Sequence, residues 1–227
     1  MIEFVFLDLD DTILDFRKAE YIAIGKTIAD FGIDPTDAVR HRYHEINIWH
    51  WHQLELGNMT REQVLEGRFR MLFAELGVDV DAEKVARAYE KNLGIGHWFL
   101  PGAEEAVDRL SKKYRLFLAS NGTASVQKGR MTSANLYRFF EKVFVSQEIG
   151  HNKPSKAYFD GCIAQIPGFD PDKAVMVGDS LSSDIQGGIN AGIKTVWVNP
   201  NHAEARTVRP DYEIESLTQL EALLEQI

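Results

Sequence analysis

A pair of carboxylates, Asp8 and Asp10, directly follows a short apolar run at the start of the chain. Residues two apart on an extended segment project to the same side, so both carboxylates are expected to begin on one face. Such a pair could belong to a reactive site, but carboxylates after a strand are as often a turn or a helix N-cap. Its meaning therefore depends on the polar residues that lie near it.

Two later apolar runs also end abruptly in polar residues. One is followed by Ser120 and Asn121, and another by Asp179, with Asp184 shortly after it. In open α/β sheets, ligands bind beyond the carboxyl ends of the strands. We therefore expect these side chains, although far apart in sequence, to meet the first two carboxylates in one crevice.

Several carboxylates in one pocket create an electrostatic conflict. Unpaired, they repel one another, and some of their pKa values rise. A hard divalent cation resolves the conflict, and an all-oxygen ligand set suits magnesium, whereas no Cys/His set at a suitable spacing supports zinc. Lys153 precedes Pro154 in a predicted loop and could neutralise both a nucleophile and a phosphoryl group. These residues predict a magnesium site that accepts a phosphate.

The elements that must position these residues alternate between strand and helix in the second half of the chain. Such alternation predicts βαβ units and a parallel sheet with helices on both faces, to which the first strand also belongs. The predicted strands are Phe4–Leu9, Arg115–Ala119, Lys142–Val145, Ala174–Val177 and Thr195–Val198. The predicted helices are Ala103–Lys113, Ala124–Leu136, Lys156–Ile166, Asp184–Ala191 and Leu217–Leu224. The expected fold class is α/β, with a Rossmann-like parallel sheet core.

The segment between the first strand and this alternating region has helical patterns throughout. Helices are predicted at Ala19–Phe31, Glu62–Leu76 and Asp81–Asn92, with Thr60 as an N-cap and Gly77 as a stop. No strand-like run interrupts them. We therefore predict an inserted all-helical cap domain over residues 16–99, with residues 1–15 and 100–227 forming the α/β core domain.

Composition restricts the classes of partner. The net charge of −9 argues against a nucleic acid polymer, which requires a basic face. The single cysteine, Cys162, cannot form an internal disulfide, and a buried apolar role is expected for it. The apolar run at the N-terminus is too short for a signal or a membrane span. A cytoplasmic enzyme that acts on a small molecule is the expectation.

Taken together, the polar clusters match all four motifs of one family, in its order. They are Asp8-Leu9-Asp10-Asp11-Thr12, then Ser120-Asn121, then Lys153, then Gly178-Asp179 with Asp184. The chain thus resembles the haloacid dehalogenase-like phosphatase superfamily over most of its length. The helical insertion resembles the C1-type cap of that superfamily.

This resemblance implies a role for each motif residue. Asp8 would attack phosphorus and form an aspartyl-phosphate, and Asp10 would act as the acid/base. The implied Mg²⁺ ligands are Asp8, Asp10 through its backbone carbonyl, Asp179, and Asp184 through water. The implied phosphate-binding residues are Thr12, which would also orient Asp8 or Asp10, Ser120, Asn121 and Lys153. The reaction would be hydrolysis of a small phosphomonoester.

Branches of the superfamily differ near the nucleophile. A carboxylate at Asp10 is typical of phosphoryl transfer and argues against a dehalogenase, and Asp11 stands where the sugar-phosphate mutases commonly have glycine. The segments Ser120–Thr123, Thr60–Glu62 with Arg68-Phe69, and Ser146–Ser155 resemble bacterial nucleoside 5′-monophosphatases that prefer pyrimidine nucleotides. A phosphatase for phosphoglycolate or a sugar phosphate is the alternative, and a dehalogenase or a non-catalytic scaffold is disfavoured.

The predicted cap carries clustered histidines, aromatic residues and arginines. They are His41, His44, His50, His52, Trp49, Trp51, Arg42, Arg61, Arg68 and Arg70. Packing or hydrogen bonding is favoured over a metal role for the histidines, since His50 and His52 diverge on a helix. Phe16 and Trp49 could stack on a base, but core packing is favoured. The arginines either line the inner face of the cap or form solvated ion pairs.

Overall fold

The computed structural model describes all residues, Met1–Ile227. Its centre is a parallel sheet of six strands in the order β3-β2-β1-β4-β5-β6. The strands are β1 Phe4–Leu7, β2 Arg115–Ser120, β3 Lys142–Val145, β4 Ala174–Gly178, β5 Lys194–Val198 and β6 Tyr212–Ile214. The expected α/β class with a parallel Rossmann-like sheet is confirmed.

The strands differ from the prediction mainly in two places, and the other strand ends agree within one residue. β1 ends at Leu7 and not at Leu9, because after the amide of Asp8 donates to Val177 O (3.0 Å) the chain turns and Asp11 takes a φ of 54°. β6 was missed, since it has three residues and only Ile214 of them is buried. The early end of β1 places Asp8 and Asp10 just beyond the strand, at the carboxyl edge of the sheet.

Helices cover both faces of the sheet. They are α5 Ala103–Ser111, α6 Ala124–Ser133, α7 Ser146–Ile149, α8 Lys156–Ile163, α9 Gln186–Ala191 and α10 Leu220–Leu224. Val5 and Leu7 pack into the hydrophobic cluster on one face, and Phe4 and Phe6 pack into the cluster on the other. A strand buried on both faces is continuously apolar, which explains why β1 has no polar alternation.

Several of these helices are shorter than predicted. α6 ends at Ser133, because Asn135 takes a φ of 53° and a 3-10 turn follows. Asp184 lies in a π-helical turn, Leu181–Ile185, ahead of α9 and not inside it. Asp184 is therefore presented by an irregular segment directly after β4.

Four helices, α1 Phe16–Asp30, α2 Asp37–Glu55, α3 Arg61–Leu76 and α4 Ala82–Leu93, pack on one another. We call them the helical unit. Their shared hydrophobic cluster is separate from the two sheet clusters and is joined by Val126 of α6. α3 begins with the capping box of Thr60 and ends at Gly77 with a φ of 68°. The division of the chain at residues 15 and 99 stays a prediction.

The two connections between the helical unit and the sheet run side by side. The amide of Asp15 donates to Trp98 O (2.8 Å), and the amide of Leu100 donates to Ile13 O (3.0 Å). Leu14 and Phe99 form an isolated antiparallel bridge between the same two segments. None of the helices has the length and apolar content required to cross a membrane.

Candidate active site

A cavity of about 400 Å³ lies between the carboxyl edge of the sheet and the helical unit. Its sheet side contains the sequence-predicted residues Asp8, Asp10, Ser120, Asn121, Lys153, Asp179 and Asp184. Residues separated by most of the chain therefore meet in one crevice. A larger depression of about 750 Å³ lies on the outside, against α3 and α4, and contains none of these side chains.

Lys153 is the cation at the centre of this crevice. Its side chain is almost fully buried, and its Nζ lies 2.6 Å from Asp8 Oδ1, 2.6 Å from Asp184 Oδ1 and 2.6 Å from Ala119 O. Burial alone would lower the pKa of Lys153, but the carboxylates of Asp184 and Asp8 more than offset this, and the pKa is raised. The lysine therefore stays charged across the physiological pH range.

Three carboxylates compete for that one positive charge. Asp8, Asp179 and Asp184 each place an oxygen within 4.8 Å of the others, and they form the only group of potential metal ligands of this size. Burial, together with Asp184 and Asp10, raises the pKa of Asp8 to about 8 despite the opposing effect of Lys153. Burial and the charges of Asp184 and Asp8 raise the pKa of Asp179 well above its usual range. The cluster is short of positive charge.

This shortage predicts a pH-dependent stability in a chelating buffer. The raised pKa of Asp179 means that the folded protein binds this proton more tightly than the unfolded chain, so its stabilising contribution is lost as pH rises. Asp179→Asn removes that repulsion. We expect the Tm of the variant to exceed that of the wild type by at least about 3 °C more at about pH 8.5 than at about pH 5.

The measurement is thermal unfolding followed by circular dichroism in EDTA across that range. Asp170→Asn, which changes a carboxylate far from the cluster, is the control and should show no such divergence. A Tm difference between Asp179→Asn and wild type that stays constant or shrinks as pH rises would contradict the electrostatic account.

Asp10 has partners of its own. Arg130 Nη1 donates to Asp10 Oδ1, and Gln127 Nε2 donates to Asp10 Oδ2 at 2.7 Å. Gln127 Nε2 also lies 2.8 Å from Ser120 Oγ. Sequence reasoning missed both α6 residues. Their spacing of three on the helix that follows Ser120 places them on one face, which is the signal that could have found them.

The remaining motif residues form hydrogen bonds to other groups of the protein. The Asn121 side chain accepts from Lys153 N (2.8 Å) and donates to Lys153 O (2.9 Å). It therefore holds the loop that carries Lys153 against the end of β2. Ser120 Oγ accepts from Gly122 N at 3.1 Å. Thr12 Oγ1 donates to Asp179 Oδ1 at 3.4 Å and makes no hydrogen bond to Asp8 or Asp10, which it was expected to orient. It lies outside the cavity lining.

The histidines of the helical unit lie on α2 and form no metal site. His44 Nδ1 contacts Glu20 Oε2, and His50 Nδ1 donates to Ile46 O (2.8 Å). Contact with Glu20 raises the pKa of His44. These contacts agree with the preferred packing and hydrogen-bonding roles.

The aromatic and arginine side chains of the helical unit divide between surface and cavity. The core-packing role expected for Trp49 is wrong, since the residue is 46% exposed, whereas Trp51 and Phe16 line the cavity. Arg42 and Arg70 form exposed ion pairs with neighbouring glutamates. Arg68 is buried and lines the cavity, where its Nη1 donates to Asn47 Oδ1 at 2.8 Å. These roles depend on which face of its helix each residue occupies, and the sequence alone left that open.

Arg61 connects the helical unit to the sheet. From the first position of α3 it donates to Asn121 O (2.9 Å), Gly122 O (3.1 Å), Ser146 Oγ (2.7 Å) and Asn152 Oδ1 (2.9 Å). A second contact between the two parts of the molecule, from Ser182 Oγ to Glu55 Oε2 (2.9 Å), lies in the wall of the cavity. The structure is therefore one in which the helical unit is closed over the carboxylates.

Together these features describe a cluster of carboxylates with a buried lysine at the carboxyl edge of a parallel sheet. The chain belongs to the haloacid dehalogenase-like hydrolases, whose family model matches residues 5–198. The resemblance stated from the motifs is thereby confirmed.

Relatives with assigned activities match along nearly the whole chain. The pyrimidine 5′-nucleotidase PynA of Streptococcus pneumoniae is 36% identical over 220 residues, covering 96% of this chain and 93% of its own. The pyrimidine 5′-nucleotidase YjjG of Escherichia coli is 29% identical, covering 98% of this chain and 97% of its own. The crystal structure of the HAD-hydrolase YfnB of Bacillus subtilis, bound to magnesium, has a TM-score of 0.93 at 35% identity and covers 98% of both chains.

Proposed function

We propose that this chain is a magnesium-dependent 5′-nucleotidase that hydrolyses pyrimidine nucleoside 5′-monophosphates. The observation that carries the proposal is the buried Lys153, which contacts Asp8 and Asp184 beside Asp179, while Asp10 is held separately. This arrangement keeps a nucleophile and an acid/base apart in one cavity. The similarity to two pyrimidine 5′-nucleotidases over nearly the whole chain supports the choice of substrate.

The carboxylate cluster fits a magnesium ion. All three grouped side chains offer oxygen, and burial together with repulsion between neighbouring carboxylates raises the pKa values of Asp8 and Asp179. Asp8, Asp179 and Asp184, with the backbone carbonyl of Asp10, would hold the ion. When bound, Mg²⁺ would offset the charge of these carboxylates and of the phosphate. Its binding to the related YfnB agrees with this assignment.

In the first step, Asp8 acts as the nucleophile. Its carboxylate oxygen attacks phosphorus, a bond from Asp8 to phosphorus forms, and the bond from phosphorus to the nucleoside O5′ breaks. Asp10, in its protonated form, gives its proton to the departing O5′. Lys153, 2.6 Å from Asp8, stabilises the charge that develops on the phosphoryl oxygens.

In the second step, the aspartyl-phosphate is hydrolysed. Asp10, now a carboxylate, takes a proton from a water molecule whose oxygen attacks phosphorus. The bond between phosphorus and Asp8 breaks, which releases phosphate and restores the Asp8 carboxylate. Asp10 is again protonated, and the cycle is complete.

A panel of phosphomonoesters tests the proposal. With magnesium, we expect the highest kcat/KM for UMP, CMP and dTMP, lower values for AMP and GMP, and lower values again for phosphoglycolate and sugar phosphates. A value for a non-nucleotide that equals or exceeds the best pyrimidine nucleotide would replace the nucleotidase assignment with that of another small-metabolite phosphatase. Chloride release from a haloacid without magnesium would identify a dehalogenase instead.

We further propose that residues 16–99 act as a cap that opens to admit the nucleotide and closes over it. Asn47, Trp51 and Arg68 of the helical unit face the phosphate-binding edge across the cavity, so they would surround the nucleoside. Closure would exclude bulk water from the aspartyl-phosphate until the activated water attacks. The two side-by-side connections at Asp15 and Trp98 supply the pivot.

Arg61→Ala tests this closure. Loss of its contacts to the sheet removes charge-assisted hydrogen bonds of about 1.5–3 kcal/mol each, so the open form gains population. We expect kcat/KM for UMP to fall by about 10- to 100-fold, mainly through KM, and the radius of gyration from small-angle scattering to increase.

Arg70→Ala is the matched control, because Arg70 lies on the same helix in an exposed pair with Glu66. It should leave both measurements at the wild-type values. An Arg61→Ala protein that is as compact and as active as Arg70→Ala would rule out the proposed role of Arg61 in closure.

A further inference from the structure

We propose that Arg130 is a positioning residue for the acid/base Asp10, and that it ties this carboxylate to the segment that leaves the helical unit. The inference rests on the proposed function. The guanidinium of Arg130 contacts Asp10 Oδ1 through Nη1 and Gly96 O through Nε at 2.9 Å. One side chain therefore joins the acid/base to the connection between the two parts of the molecule.

Burial and charge show why this arginine depends on Asp10. The side chain of Arg130 is 0% exposed, and Asp10 is its only ion-pair partner. Taking a guanidinium out of water costs several kcal/mol unless it is paired. The ring of Phe16 lies 5.5 Å from Cζ, but an aromatic face does not replace an anion. Arg130 therefore pairs with the carboxylate form of Asp10, which is the form that takes a proton from water in the second step.

The direction of approach separates Arg130 from groups that touch a substrate. Gln127 and Asp10 line the cavity, whereas Arg130 does not. Arg130 reaches Asp10 from behind, while Gln127 holds the second carboxylate oxygen at 2.7 Å. With both oxygens held, the plane of the Asp10 carboxylate is set by α6. Asp10 is still accessible from the cavity, since its side chain is 28% exposed.

The helix that carries Arg130 also packs tightly on the connecting segment. A Cβ at Gly129 would lie 2.5 Å from Gly94 O, so only glycine allows this approach. Gly94 and Gly96 belong to the stretch between α4 and the bridge at Phe99. A displacement of this stretch would pull on the same guanidinium that orients Asp10. Opening of the helical unit would therefore also release the acid/base.

The test uses two substrates that differ in their need for an acid. Nucleoside O5′ must be protonated to leave, whereas 2,4-dinitrophenolate leaves without a proton, so only the first depends on Asp10 in the step that forms the aspartyl-phosphate. For Arg130→Met we expect kcat/KM to fall by about 100-fold with UMP and to stay within about threefold of wild type with 2,4-dinitrophenyl phosphate. With the aryl substrate, a burst of one dinitrophenolate per site should precede slow turnover.

Three further variants test whether the effect depends on Asp10 and on the contacts of Arg130. Asp10→Asn should show the same split between substrates, and Lys128→Met, an exposed change on the same helix, should match wild type on both. Arg130→Lys keeps the charge but cannot make both contacts, so we expect a fall of about tenfold with UMP and none with the aryl phosphate. If Arg130→Met does not fold, Arg130→Lys carries the test.

The outcomes distinguish this inference from the proposed function. An equal loss of kcat/KM on both substrates, or no loss on either, would overturn the positioning role while wild-type nucleotidase activity still stood. Absence of UMP hydrolysis by the wild-type enzyme and by Lys128→Met alike would instead overturn the proposed function.

Discussion

Asp8→Asn lowers kcat for UMP by at least about 10⁴-fold, because an amide cannot attack phosphorus and no aspartyl-phosphate forms. The same loss is expected with p-nitrophenyl phosphate, since a better leaving group does not replace the nucleophile. The measurement is phosphate or p-nitrophenol release with saturating magnesium. Asp184 is not free to substitute, because it is held by Lys153 and by Ser180 N.

The fold of this variant should be retained. Asparagine has nearly the shape of aspartate and removes a charge from a crowded cluster, so the near-ultraviolet circular dichroism should match wild type. Asp108→Asn, a change in an exposed pair with Lys112, is the matched control and should keep full activity. Magnesium-dependent hydrolysis of p-nitrophenyl phosphate by Asp8→Asn at the wild-type rate would show that the mechanism is wrong.

Lys153→Met is expected to affect both activity and stability. Without the ammonium group, Asp8 and Asp184 lose the cation that lies 2.6 Å from each of them, and the phosphoryl group loses its nearest positive side chain. We expect kcat/KM for UMP to fall by about 10²- to 10⁴-fold. Removal of one partner from a buried ion pair also costs about 3–5 kcal/mol of stability.

The two effects of Lys153→Met can be separated by varying the conditions. In EDTA, Tm should fall, and it should recover as pH is lowered and the carboxylates are protonated, whereas activity should not return at any magnesium concentration. Lys156→Met, an exposed lysine paired with Asp160, is the control and should change neither quantity. A Lys153→Met enzyme restored to wild-type kcat by added magnesium would mean that Lys153 only balances the carboxylates.

Most of the sheet was predictable from local sequence. Each of the five strands that were predicted is a short apolar run, largely buried in four of them and half-buried in the edge strand β3, and such runs have few alternatives in an α/β protein. β6 escaped because Tyr212–Ile214 is short and its inward side is supplied by one residue, Ile214. α2 was not delimited, since its polar residues on several faces blur the apolar stripe that marks a helix.

The site was predictable as a set of motif residues but not as a set of contacts. The motifs identified Asp8, Lys153 and Asp179, which meet in the structure. They did not indicate Arg130, because a buried arginine in a helix cannot be told from a surface arginine without knowing which face is covered. Arg61 was named among the cap arginines, but its contacts were not predicted, since two of its four acceptors are backbone carbonyls.

The sequence by itself determined the family, the parallel sheet and the residues at its carboxyl edge, because strand runs and motif residues are local patterns. Only the tertiary structure decided which side chains hold Asp10 and how the helical unit closes over the carboxylates. Those contacts join residues that are about 30 to 130 positions apart, such as Arg130 with Asp10. Their geometry follows from the way the helices pack. A shift of one position along a helix is enough to move an arginine from the solvent face to the interior face.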